Sequence, residues 1–227
     1  WRNQNRKSAA LAPTVDNSQS SDSLPGTVAS IARQSLAPLA NRIDQDGHYP
    51  LDVMGELGRA GAFSSHLDRE GSRFDVALND MASISEHCGS TGFMTWCHDV
   101  CGLYMERSGN SALQARLEDH ASGQSFGGTG LSNPMKALTN IEKMALRATP
   151  VEGGHIVSGT LPWVSHINHG HYCGVIAMVC NPDGSHSHEL MFMLDINETV
   201  KLSKCPEFSG MEGTSTWAIQ LEEYFVS

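Results

Sequence analysis

The spacing of apolar residues changes period once along this chain, close to Gly123, and that change limits the fold more than any other feature. Before it, apolar positions recur every three or four residues, the mark of helices with one buried face. Val28, Ala32, Leu36, Leu39 and Ile43 trace a first helix that ends before Gly47. Pro38 should bend it, having no N–H for the ladder. Pro50 fits the first turn of a second helix, with Leu51, Met54 and Leu57 on one side and Gly58 or Gly61 as its stop. Ser72-Arg73-Phe74-Asp75 resembles a capping box ahead of the stripe Phe74, Ala77, Leu78, Met81 and Ile84, with Gly89 as the stop. Thr91 to Arg107 is apolar nearly all round, as expected of a helix at the centre of a bundle, and Ser111 to His120 adds a shorter one.

Past Gly123 the period becomes two. Met144, Leu146 and Ala148 alternate with Lys143, Arg147 and Thr149, a half-buried strand, and Glu152-Gly153-Gly154 turns it into a return strand at His155. Cys173 to Cys180 is a continuous apolar run closed by the turn Asn181-Pro182-Asp183-Gly184; Leu190 to Ile196 and Trp217 to Val226 supply further strands. Helices followed by antiparallel strands predict an α+β chain. A flexible arm covers residues 1–23, an N-terminal all-α helical domain 24–123, and an antiparallel β-barrel-like domain 124–227.

Charge and cysteine use narrow the function. Lys and Arg number 15 against 25 Asp and Glu, a net charge of −10. Nucleic acid and anionic membranes are bound through Lys and Arg on phosphates, so neither is an expected partner. No apolar run approaches the ~20 residues that span a bilayer, and no apolar stretch follows the basic residues Trp1 to Lys7, so no secretory signal is expected. Cys88, Cys97, Cys101, Cys173, Cys180 and Cys205 form no C-x-x-C pair and sit mostly in apolar stretches. Free thiols and a reducing, cytoplasmic setting follow.

Three regions could carry chemistry: Leu131-Ser132-Asn133-Pro134 together with Trp163-Val164-Ser165, the histidines His166, His169 and His171 with His186 and His188 beyond, and the apolar helix at Thr91 to Arg107. The histidines lack a Cys or carboxylate at metal-ligand spacing and read as solvated loop groups, so no metal is expected. Gly127-Gly128-Thr129-Gly130 has no Lys-Ser/Thr after it and no predicted helix opening there, which removes a phosphate loop. No G-x-S-x-G elbow is present for a hydrolase.

The order of these segments resembles the acyl-CoA dehydrogenase family of flavoproteins from about Leu24 to the end. In that family a helical domain precedes a β-domain that opens with an L-T-E-P type segment. A hairpin later comes N-G-x-K-x-W-I-T. Leu131-Ser132-Asn133-Pro134 and Ser158-Gly159-Thr160-Leu161-Pro162-Trp163-Val164-Ser165 are the counterparts here. Leu36 to Pro50 is similar to the family's first helix and its exit, and Gly210-Met211-Glu212-Gly213-Thr214-Ser215-Thr216 to its last β-domain segment.

The resemblance implies FAD as cofactor, held by Leu131, Ser132, Trp163, Val164 and Ser165. Ser132 would serve the pyrimidine edge and Ser165 the N5/O4 side, where charge gathers on reduction, with Trp163 packed against the ring. Serine replaces threonine at both hydroxyl positions, keeping donor and acceptor. Met94, Thr95 and His98 would face substrate, although a lone His98 on such a face is more often a core histidine. The implied reaction is α,β-dehydrogenation of an acyl thioester in fatty acid metabolism. Electrons would pass to an electron-transfer flavoprotein or reductase, and the assembly would be a homo- or hetero-oligomer.

Two departures bear on this expectation. Met135-Lys136-Ala137-Leu138-Thr139-Asn140 stands where the family has a small Gly/Ser loop, and Pro162 replaces the usual Lys before the Trp. A flavin-dependent monooxygenase of the same fold, or a non-catalytic scaffold subunit, is the alternative. The family's C-terminal four-helix domain, which commonly supplies the catalytic base, is missing from this chain, so no residue here is assigned a catalytic role.

Overall fold

Pro38 shapes the first element of the computed structural model, which describes residues 24–67 and 71–227. The arm expected over residues 1–23 lies outside the described residues. Helix α1 (Leu24–Ile31) passes into a π-turn (Ala32–Leu36), then a 3-10 turn (Ala37–Leu39), then α2 (Ala40–Asp46). A proline ring crowds the carbonyl four residues back and offers it no donor, so the ladder widens and then tightens to pass it. Val28, Ala32, Leu36 and Ile43 stay on the buried face throughout.

Helix α3 (Leu51–Arg59) starts behind Pro50, as its fixed φ predicts. Its buried stripe is Val53, Met54 and Leu57, whereas Leu51, expected inside, is exposed. Leu51 lies about 110° round the helix from the centre of that stripe. Helix α4 (Phe74–Ser85) begins one residue later than a capping box at Ser72 requires; Arg73 occupies the cap position with no side-chain bond. Its buried face is Val76, Ala77, Asp80 and Ile84, so Phe74 and Leu78 of the expected stripe turn to solvent. Gly89 opens helix α5 (Gly89–Arg107) instead of ending α4. Met94, Cys97, Cys101 and Met105 bury one side of α5, while Phe93 and Trp96 stack on each other at 5.5 Å on its exposed flank. The single helix expected over Ser111 to His120 divides into α6 (Ser111–Gln114), capped by Asn110, and α7 (Leu117–Ala121).

Beyond Gly123 come β1 (Gly127–Thr129), α8 (Ser132–Leu138), β2 (Leu146–Val151), β3 (Gly154–Val164), β4 (Tyr172–Cys180), β5 (His186–Asp195), β6 (Lys201–Lys204), a 3-10 turn (Glu212–Thr214) and β7 (Trp217–Val226). Among the described residues the strands form one sheet, in the order β1-β4-β2-β3-β7-β6, with β5 paired to β4. Pairs β2–β3, β3–β7, β6–β7 and β4–β5 are antiparallel as expected, but β1–β4 and β2–β4 are parallel, so the sheet is mixed. Parallel neighbours need long crossovers, and the segments between these strands provide them. Irregularities between Val157 and Gly159 and between Leu161 and Val164 of β3 bend the ladder with β7 and curl the sheet.

One apolar core lies on the sheet around Leu146, Val175 and Ile219, and a second joins the helices around Leu36, Met54 and Phe63. A third, of Leu67, Cys101, Met105, Leu117 and Tyr172, joins the two layers where α5 lies over β1 and β4. All six cysteines are free thiols. No helix among the described residues is long and apolar enough to cross a membrane.

Candidate functional site

Strand β3 carries the first part of the site. At its end, Val164 points into the sheet core at 1% exposure, between the exposed Trp163 and the half-buried Ser165 that follows the strand. Trp163 is 47% exposed and its ring lies 5.8 Å from that of Phe208. A helix does open after the glycine-rich stretch, contrary to expectation: Leu131, half-buried, precedes α8, and Ser132 is its exposed first residue. Asn133 clamps α8 in place. Its amide donates to Glu142 Oε2 at 3.1 Å and to the Lys143 carbonyl at 2.9 Å, and its oxygen accepts from Ala145 N–H at 2.9 Å. Hydrogen bonds from Lys136 and Asn133 hold the Glu142 carboxyl below its ordinary range.

Ser132 and Trp163 meet in a cleft of about 50 Å³ that also holds Gly130, Lys136 and Pro162. Ser165 sits beside a larger hollow. It pairs with Thr129 of β1, and its Oγ lies 2.7 Å from Thr216 Oγ1, which lies 2.8 Å from Thr214 Oγ1. Thr129 Oγ1 is in turn 2.9 Å from the Tyr104 hydroxyl of α5, whose ring occupies the space left by the absent side chain of Gly174. Thr216, Trp217, Phe208 and Tyr49 line a hollow of about 550 Å³. Trp163 lines the first hollow and Phe208 the second, and neither hollow contains both serines. Sequence reasoning assigned no role to Thr129, Thr216 or Tyr104. Thr216 lay inside the Gly210–Thr216 resemblance, which was the one signal available for it.

The α5 residues expected to face substrate are enclosed. Met94, Thr95 and His98 are each 0% exposed, and the flank open to solvent carries Phe93 and Trp96. Thr95 Oγ1 donates to the Thr91 carbonyl at 3.0 Å. His98 stacks on His120 with ring centroids 3.6 Å apart, and each donates Nε2–H to the other's backbone carbonyl at 2.9 Å. A carbonyl only accepts, so both rings carry their proton on Nε2 and accept at Nδ1. Gly127 N–H fills that position on His98 at 3.2 Å, and the Tyr172 hydroxyl fills it on His120 at 2.8 Å. Burial pushes His98 down to about 3 and His120 well below the ordinary histidine range, so both are neutral.

His166 and His171 are also buried, not solvated as a loop histidine is expected to be. His166 Nδ1 donates to the Gly127 carbonyl at 3.0 Å and Nε2 accepts from the Tyr49 hydroxyl at 2.9 Å. His171 Nδ1 donates to the His166 carbonyl at 3.1 Å. Unpaired carbonyls under β1 need donors, and these rings supply them. Burial holds both below the usual range. His169, His186 and His188 are exposed. No group of three or more metal-ligating side chains is arranged to hold an ion among the described residues.

The family described as "Acyl-CoA dehydrogenase, N-terminal domain" matches residues 18–124. Mitochondrial isovaleryl-CoA dehydrogenase of Solanum tuberosum is 26% identical over 212 residues, 88% of this chain and 50% of its own length. Among solved structures, butyryl-CoA dehydrogenase from Megasphaera elsdenii has a TM-score of 0.77 at 17% identity, covering 90% of this chain and 56% of that one. A glutaryl-CoA dehydrogenase from Mycobacterium smegmatis in complex with FADH2 has a TM-score of 0.76 at 17% identity, covering 89% and 52%. At those identities the structural likeness speaks for the fold. The chain spans about half the length of the curated relatives it matches. Domain match, named relatives and shared architecture point one way: residues 18–124 match the acyl-CoA dehydrogenase N-terminal domain, and the fold of the chain is similar to that of acyl-CoA dehydrogenases.

Proposed function

We propose that this chain is the flavin-facing part of an enzyme that removes two hydrogens from the α and β carbons of an acyl thioester, with the helical and sheet domains dividing at Gly123. The observation that carries the reading is the cleft in which Ser132 meets the exposed indole of Trp163, with Ser165, two residues on, joined through Thr216 to the edge of a separate hollow of about 550 Å³. The larger hollow falls within the ~300–1,000 Å³ typical of ligand sites; the support for FAD at the smaller cleft is the exposed Trp163 indole as a flat wall with the Ser132 hydroxyl beside it. When bound, the flavin supplies the hydride acceptor at N5. Ser132 orients the pyrimidine edge, and Ser165 holds a hydrogen bond at the N5/O4 side. Leu131 and Val164 seat the two segments, and Trp163 keeps water from one face of the ring. Met94, Thr95 and His98 enter this reading as backing for the wall on the substrate side, since their side chains are enclosed. The base that takes the α-proton comes from a part of the protein outside this chain. Electrons leave to an electron-transfer flavoprotein or a reductase, and the working form is an oligomer.

A second reading, flavin-dependent monooxygenation, draws on α8: Met135 and Leu138 project from a helix where a small loop would leave room for a thioester tail. Titrating the chain with FAD tests the common ground. Weak or no retention by the chain alone is expected; quenching of flavin fluorescence that the double variant Ser132→Ala/Ser165→Ala weakens supports the flavin reading, and quenching that the double variant leaves unchanged overturns it. In the complete protein, anaerobic bleaching of the flavin by an acyl-CoA is the expected result. Product formation that requires oxygen and an added reductase selects monooxygenation instead, and a colourless protein leaves a scaffold.

A further inference from the structure

Resting on the flavin reading above, we propose that Thr216 is a positioning residue: it ties the Ser165 hydroxyl to Thr214 in a reversible relay that lets Ser165 offer the ring a donor or an acceptor. Three hydroxyls stand in line, Thr214 Oγ1 to Thr216 Oγ1 at 2.8 Å and Thr216 Oγ1 to Ser165 Oγ at 2.7 Å. Each carries one hydrogen, and a line in which every hydroxyl passes its hydrogen to the next runs in one of two senses. If Ser165 donates to Thr216 and Thr216 to Thr214, a lone pair of Ser165 faces outward. If Thr214 donates to Thr216 and Thr216 to Ser165, the Ser165 hydrogen is free to face outward. The N5 atom of an oxidised isoalloxazine is an acceptor, and the reduced ring carries N5–H, a donor. Rotation of three hydroxyls, which re-forms both hydrogen bonds and breaks no covalent bond, therefore matches Ser165 to either state of the ring.

The loop that carries Thr216 is held rigidly enough for this. Ser215 adopts a left-handed backbone at φ 48°, a conformation unfavourable to serine, and its surroundings fix it. Its Oγ donates to the Ile167 carbonyl at 2.8 Å and accepts from Trp217 Nε1 at 3.3 Å. Backbone bonds from His166 N–H to the Thr214 carbonyl and from Ile167 N–H to the Ser215 carbonyl bind the same loop to the segment that follows Ser165. Thr214 is 4% exposed, so water does not compete for the inner end of the line. Thr216 itself lines the larger hollow, so the outer part of the relay reaches a space open to a ligand.

The test is anaerobic titration of the chain with oxidised FAD and with dithionite-reduced FAD, reading affinity and the visible band of the bound flavin. Thr216→Val, which keeps shape and removes the hydroxyl, is expected to weaken both affinities roughly two- to tenfold, the reach of one hydrogen bond, and to shift the band. Thr216→Ser restores both. Thr214→Val, one hydroxyl further back, moves them in the same direction and serves as the readout should Thr216→Val fail to fold. Parental affinity and an unshifted band in the valine variants overturn the relay while leaving the flavin reading intact. So does a loss in Thr216→Val that Thr216→Ser fails to restore. Where the parent chain alone retains no flavin, the same titrations are read in the complete protein, and absence of flavin binding there overturns the flavin reading, and the relay with it.

Discussion

Tyr172 completes the hydrogen bonding of the stacked histidines with a single oxygen. Its hydroxyl donates to His120 Nδ1 at 2.8 Å and accepts from Ser125 Oγ at 2.9 Å, while the Arg116 guanidinium lies over the ring at 4.0 Å from its centre. Tyr172→Phe keeps the ring, its burial and the contact with Arg116, and removes the hydroxyl alone. His120 Nδ1 then faces no donor in a site 0% exposed. Leaving a buried acceptor unmatched costs about 1–3 kcal/mol, so urea unfolding of Tyr172→Phe should show that loss with an unchanged slope. Parental stability would mean that water or a shifted side chain takes over the position. Asp99 shows the other outcome. Its carboxyl oxygens have no hydrogen-bond partner among the described residues, and burial raises its pKa well above the ordinary range, favouring the neutral acid.

Helix α3 depends on a contact of a different kind. Gly58 lies so close to the backbone of Ser122 and Gly123 that an added Cβ would stand 2.6 Å from Gly123 Cα. Only backbone is in the way, so no side chain can swing aside. Gly58→Ala must push α3 off the segment leading into β1, at an expected cost of about 1–3 kcal/mol, read as a lowered melting temperature; an unchanged one would mean that α3 shifts freely. Of the two glycines expected as the stop, Gly61, at φ 91°, follows the end of α3, whereas Gly58 lies inside the helix at its close contact, since local pattern carries no trace of a partner so distant along the chain. The same limit explains the rest. Helices α3, α4 and α5 and strands β2 to β4 were legible as types, since their apolar periods are local. The phase of α3 and α4 was not, because Leu51, Phe74 and Leu78 are apolar yet exposed. Trp163 and Ser165 were legible through the family resemblance alone, since the alternation of β3 breaks between Leu161 and Val164. Thr129, Thr216 and Tyr104 reach Ser165 through strand pairing and packing of α5 on β1, which no single stretch encodes. His166 and His171 looked solvated because hydropathy counts their ring nitrogens as wet, whereas backbone carbonyls inside the fold receive them.

At the scale of the whole molecule, the junction between helices and sheet is built from neutral histidines. His98 from α5, His120 from α7 and His166 and His171 from the segment before β4 meet there, with Tyr49, Phe126 and Tyr172 around them. Desolvation lowers all four pKa values, His98 to about 3. Above the unfolded value of about 6.5 these rings are neutral in both states and stability is full. Below it the unfolded chain binds protons that the folded chain refuses, so stability falls as pH drops from there toward the lowered folded values. Asp80, pushed up to about 6 by burial, and Asp99 act in the opposite sense, since folded they hold protons that the unfolded chain releases. The four junction histidines, with His66 also lowered, outnumber these two acids. A net one to three protons taken up on unfolding corresponds to about 1.4 kcal/mol per pH unit for each. Against a typical total of about 5–15 kcal/mol, a loss of that slope over two units exhausts much of the stability. Urea midpoints measured from pH 7 to pH 4 should therefore fall steeply below about pH 6. Helical and near-ultraviolet circular dichroism signals should vanish together, because one junction serves both layers. Midpoints that stay level across that range would show that the histidines are charged at neutral pH or that acid reaches them without unfolding the junction, and either result removes their neutrality as the condition for joining the two layers.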